Sequence, residues 1–134
     1  MLRCLVALCL AATTATAQDV ARYQVEVALH WDGAEADGHP EDKHWSRLIA
    51  FAHASRFALF NDGDTASSGL ALVATNGRVT VLEAELAEGR RRDRVGAQVL
   101  LPGIDAGVGR FLFEIEVTEK QRFVSFATML APSP

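Results

Sequence analysis

The chain has 134 residues, a formal net charge of −4 and a 49% hydrophobic composition, with two cysteines. That length suits one ordinary domain. The acidic balance argues against nucleic acid as a partner, because such affinity comes largely from cationic contacts with phosphates. No apolar run approaches the ~20 residues that a helix needs to cross a bilayer.

In chain order, the first element is a leader. Arg3 supplies a positive start, Leu5 to Ala12 an apolar core, and Ala15-Thr16-Ala17 an A-x-A site. These are the three parts of a cleavable secretory signal. A signal peptide over residues 1–17, a mature domain over 18–134 and export to the periplasm or beyond the cell are therefore expected. Lipid anchoring is not expected, since Leu8 stands before Cys9 where a lipoprotein signal has a small residue. Cleavage removes Cys4, Cys9 and Arg3, so the mature chain carries −5 with no disulfide and no thiol chemistry.

Next, Tyr23, Val25, Val27, Leu29 and Trp31 alternate with Gln24, Glu26, Ala28 and His30, the period of a half-buried strand. A shorter strand is expected over Phe57–Phe60, ended by the turn residues Asn61-Asp62-Gly63-Asp64. A short helix from Ser67 to Thr75 ends near Asn76-Gly77. Thr80 and Glu83 have the spacing of a capping box. Leu82 and Leu86 then share a helical face, and Gly89 reads as the stop. Val95–Leu101 is a strand closed by Pro102-Gly103. Phe111, Phe113, Ile115 and Val117 mark another, and Phe123–Leu130 is expected to return beside it as a hairpin after Glu119-Lys120-Gln121. The sum is a mostly β fold, an antiparallel β-sandwich with one or two short connecting helices.

The candidates for chemistry are few. His30, His39, His44 and His53, with Glu41 and Asp42, invite a metal reading, yet no H-E-x-x-H or paired cysteine supplies zinc spacing. His53 lies in an apolar segment and reads as a hydrogen-bonded core residue. Asn61–Asp64 lacks the alternating acids and distal Glu of a calcium loop. Ser46, Ser55, Ser67, Ser68 and Ser125 are outside any G-x-S-x-G elbow. Trp31 and Trp45 read as core. Arg90, Arg91, Arg92 and Arg94 form the dense basic run. It reads either as a solvated loop or as a patch for anionic lipid, glycan or lipopolysaccharide.

Several segments, taken in order, resemble the spondin domain. They are the strand ending in Trp31, His39-Pro40, Trp45-Ser46-Arg47-Leu48-Ile49-Ala50-Phe51-Ala52-His53, Ala66-Ser67-Ser68-Gly69-Leu70, and Val124-Ser125-Phe126-Ala127-Thr128-Met129-Leu130-Ala131-Pro132-Ser133-Pro134. Ala74-Thr75-Asn76-Gly77 stands where that family has Ala-Glu-x-Gly. The resemblance implies a sandwich similar to the C2 domain and a non-enzymatic adhesion or ligand-binding role at a cell surface or matrix. The ligand would be a surface, glycan or protein component. In that family Pro-Ser-Pro runs on into Asp-Trp, whereas this chain stops at Pro134. Members that hold a cation, calcium, use that Asp, later acids and a Glu on the preceding strand, which corresponds to Glu116. Calcium takes about six to eight oxygen ligands, so Glu116 alone leaves the site incomplete, and an exposed strand carboxylate is the other reading. The alternative function is a hydrolase or metal-dependent enzyme on a sandwich scaffold, using His30, His44 or His53. An unpaired edge beside Phe123–Leu130 would mark a scaffold lacking its final strands.

Overall fold

The computed structural model describes residues 19–31 and 43–131. The leader with Cys4 and Cys9, the segment bearing His39, Glu41 and Asp42, and the Pro-Ser-Pro end lie outside the described residues. The elements are β1 (Val20–His30), β2 (His44–Trp45), β3 (Leu48–His53), α1 (Ser68–Asn76), α2 (Thr80–Arg91), β4 (Val95–Leu101), β5 (Val108–Thr118), β6 (Phe123–Ala127) and β7 (Leu130–Ala131).

The alternation read in β1 and β5 brings the two together. They pair antiparallel from Val20 opposite Thr118 to His30 opposite Val108. One face carries Val25 opposite Phe113 and Val27 opposite Phe111, and packs inward. The other face is wet and carries the Arg22–Glu116 and Arg110–Glu26 ion pairs. A second sheet has the order β4-β3-β6, and β2 pairs with β7.

β3 is the centre of the molecule. Its Leu48, Ala50 and Ala52 pack with Phe111, Phe113, Ile115 and Val117 of β5. Its Ile49 and Phe51 pack with Val73, Val79, Leu82 and Leu86 of the helical side. All of Leu48 to Ala52 are buried, so β3 reads as a continuous apolar run with no alternation. The result is three layers: the β1–β5 sheet, the β4-β3-β6 sheet, and the two helices. The expected antiparallel sandwich with two short helices is the observed fold.

Four local expectations are corrected. β6 does not return along β5; it pairs antiparallel with β3, Ala127 opposite Ile49 and Phe123 opposite His53. The connecting turn directs it there. Buried Gln121 accepts from the Thr118 hydroxyl and donates through Nε2 to the Asp93 carbonyl and carboxylate, both at 3.0 Å. That ties the turn to the start of β4 and carries the chain across to the other sheet. Residues 57–60 form no strand. Phe57 and Leu59 pack against the helical core from a loop whose Phe57 N–H donates to the Ala54 carbonyl at 3.0 Å. The capping box is not formed either. Val79 occupies the N-cap with no side-chain bond, because it is a buried core residue. Gly89 lies within α2, where the space for a side chain is filled by Val95 and Phe57, at 2.6 and 2.9 Å from an ideal Cβ. α1 behaves as its residues indicate: the Ser67 hydroxyl accepts from Leu70 N–H, and Gly77 ends it at φ 68°.

Candidate binding surfaces

The β3–β6 pairing places Ser125 opposite Phe51 and beside His53. His53 Nδ1 lies 2.9 Å from the Ala54 carbonyl oxygen, and Nε2 lies 2.8 Å from Ser125 Oγ. A carbonyl can only accept, so Nδ1 carries the proton and Nε2 accepts from the serine hydroxyl. The ring sits among Phe51, Phe57 and Phe123, with centroids 5.5, 6.0 and 5.9 Å away. This is the hydrogen-bonded histidine the sequence suggested, half-buried rather than fully enclosed. A base nitrogen on a hydroxyl resembles an activated serine, but a backbone carbonyl, not a carboxylate, orients the imidazole. The pair closes one wall of an apolar pocket of about 240 Å³ roofed by Phe57, Leu59, Phe60 and Leu70.

Phe126 also lines that pocket and belongs to β6, the outer strand of its sheet. Sequence reasoning passed over Phe60, Phe126 and Arg122 as site residues. The available signal was a strand, Phe123 to Ala127, with no charge inside it to protect an edge.

The arginine run lies at the end of α2. Arg91 and Arg92 both donate to Glu88, whose carboxyl is held below its usual pKa first by the Arg91 hydrogen bond and charge. Arg90 reaches β4, donating to the Gly96 carbonyl at 3.3 Å and to Gln98 at 3.2 Å. Arg94 is exposed. Beside them, Lys120 donates to Asp93 at 2.7 Å. The Asp93 carboxyl is thereby lowered and the Lys120 ammonium raised. Five cations thus stand around two carboxylates on one exposed corner, next to the helix C-terminus, whose dipole favours positive charge.

The remaining candidates are dispersed. Glu116 faces Arg22 across the β1–β5 pairing and is bound in an ion pair with it. A cation there would meet a guanidinium already on the carboxylate. No group of three or more His, Cys, Asp or Glu among the described residues could hold a metal ion. His30 is opposite Val108, His44 opposite Ala131 and His53 opposite Phe123, in three different sheets. The structure does not bring them together.

Comparison with known proteins agrees with this scaffold. The Spondin_N family matches residues 21–134. Spondin-2 from Rattus norvegicus is 30% identical over 124 residues, covering 89% of this chain and 38% of the relative. Spondin-2 from Homo sapiens is 32% identical over 91 residues, covering 67% of this chain and 28% of the relative. The chain thus spans well under half the length of these relatives. With the match running from the first strand to the last, the chain belongs to the Spondin_N family.

Proposed function

We propose that this chain is an exported, non-enzymatic binding module that holds to an anionic component of an extracellular surface or matrix. In this reading residues 1–17 are a removed leader and 18–134 the working domain. The observation that carries it is the family match over residues 21–134, which covers all of the described scaffold but residues 19 and 20. The corner at the end of α2 supplies the contact: Arg91 and Arg92 paired with Glu88, Lys120 paired with Asp93, and Arg90 and Arg94 in the same run. Glu88 holds Arg91 and Arg92 and Asp93 holds Lys120, and the two carboxylates lower the field only in part. An exposed cation near an anionic surface is worth about 1 kcal/mol. Binding of this kind weakens with salt and needs no cation.

Heparin–agarose chromatography tests it. The wild-type chain is expected to be retained and to elute with added salt. Replacing Arg90, Arg91, Arg92 and Arg94 by Gln is expected to move elution to low salt, with the melting temperature little changed. Unchanged retention, or retention that chelators abolish, would remove the arginine corner as the contact.

A further inference from the structure

Three turns meet at one end of the molecule, where β3 finishes and β4 and β6 begin. Val95 and Phe123 both lie opposite His53, one on each side of β3. Arg94 and Arg122, the residues before them, therefore flank the exit of β3, two strand spacings apart, about 10 Å. Arg56 lies in the turn that leaves β3, the strand between the two. All three arginines are exposed. None of them enters an ion pair among the described residues. The Arg122 guanidinium lies over Phe123, 5.5 Å from the ring centroid.

Hydrogen bonds fix these turns to one another. Ala54 N–H donates to the Arg94 carbonyl at 2.8 Å, and Phe57 N–H donates to the Ala54 carbonyl at 3.0 Å. Gln121 Nε2 donates to the Asp93 carbonyl at 3.0 Å, and Lys120 donates to the Asp93 carboxylate. The arginine corner is thus continuous with the end of the sheet. Arg56 and Arg122 join its five cations, so seven of the thirteen Lys and Arg residues stand at this end. The carboxylates there, among the described residues, are Glu88, Asp93, Glu119 and, at the start of β1, Asp19. Seven cations against four carboxylates set this end apart in sign from a chain whose net charge is −4.

The kind of cation and its layout select the ligand. Six of the seven are arginine. A guanidinium offers a planar fork that meets two oxygens of one anionic group, whereas a lipid surface rewards a positive charge of either kind. Cations carried on three adjoining turns match a ligand that repeats its charge along its length. We propose that the surface runs from the arginine corner across the end of the β4-β3-β6 sheet, through Arg94, Arg56 and Arg122, and takes a linear anionic polysaccharide. The proposal rests on the anionic-ligand reading above, and adds to it Arg56, Arg122 and the shape of the ligand. Because the turns are already tied together, little backbone order remains to be lost on binding.

Fluorescence anisotropy with end-labelled heparin tetrasaccharide and dodecasaccharide tests it. The wild-type chain is expected to bind the longer probe more tightly. Arg56→Gln with Arg122→Gln should weaken dodecasaccharide binding at least about ten-fold, make it less sensitive to salt, and leave the tetrasaccharide little changed. Arg47→Gln with Arg110→Gln removes the same charge near the opposite ends of β3 and β5 and should change neither affinity. All four positions are exposed, and circular dichroism with a melting curve checks that each variant is folded. A wild type that binds neither probe overturns the anionic-ligand reading itself and the proposal with it. A wild type that binds, with the Arg56 and Arg122 variant unchanged, overturns the extension alone. Equal losses in the two double variants reduce the effect to net charge and overturn it as well. Binding to phosphatidylserine vesicles that the Arg56 and Arg122 variant loses, with no preference for the longer sugar, overturns it in favour of a membrane.

Discussion

At the scale of single residues, Asp93 does more than its place in a basic run suggests. It sits at φ 55°, the left-handed conformation that L-residues other than Asn and Asp seldom adopt. Arg94 N–H donates to the Gly89 carbonyl and Asp93 N–H to the Arg90 carbonyl, which closes α2. The Asp93 side chain meanwhile holds Lys120 and Gln121, so one residue ends the helix and anchors the turn that sends β6 across. Its carboxyl is lowered first by the Lys120 hydrogen bond, then by Gln121. A carboxyl lowered by folding contributes stability above its unfolded pKa, and this is lost as pH falls through the folded value. Lys120, raised by Asp93, contributes below its own unfolded pKa and loses that only in strong alkali. The expected outcome is that Asp93→Asn, which keeps the backbone conformation and a Gln121 partner, flattens the fall of melting temperature between about pH 5 and pH 3. High salt should flatten it similarly. A wild-type slope retained in the variant would show that Asp93 is not the titrating group. Nothing in the local pattern Arg-Arg-Arg-Asp-Arg signals this role, because Lys120 and Gln121 are distant in sequence.

At the scale of elements, the two helices meet closer than side chains allow. An ideal Cβ on Gly69 would lie 2.5 Å from Leu82 Cα and 2.7 Å from Glu85 Oε2. Glu85 Oε1 accepts from Gly69 N–H at 2.7 Å, so a carboxylate of α2 supplies the negative charge that the first turn of α1 lacks. Two effects oppose each other in Gly69→Ala. Helix propensity favours Ala by about 0.8–1 kcal/mol, while crowding costs about 1–3 kcal/mol. The obstacle is backbone and cannot swing aside, so crowding wins. Urea denaturation should show a lower midpoint; an unchanged or higher one would mean that the helices separate freely. The helices themselves were legible from Ser67, Gly77 and the Leu82–Leu86 spacing. Their close approach was not, since Gly69 also fits a loop.

At the scale of the whole molecule, the scaffold is stapled by packing. Both core layers pass through β3, and Leu48, Ile49, Ala50 and Ala52 are completely buried. A bound cation would add stability in proportion to its occupancy, but Glu116 is already paired with Arg22. Calcium at millimolar concentration, or its removal with EDTA, is therefore expected to shift the melting temperature by less than about 1 °C. A rise of several degrees with calcium would place a cation site on the molecule.

What residue order by itself determined is local. Period-two alternation declared β1 and β5, Ser67 and Gly77 bounded α1, and the sequence of short motifs carried the family resemblance. Each of these depends on neighbours within a few residues. What only the tertiary structure decided is partnership: β6 beside β3 instead of β5, Asp93 beneath Gln121, Ser125 on His53, and Glu116 held by Arg22. Strand alternation specifies which face is buried but not which strand lies alongside, and these contacts join residues 28 to 94 positions apart. The exposure along β6 is of this second kind. Its apolar residues are plain in the sequence, and the exposure of Val124 and Phe126 follows only from how the described strands pair.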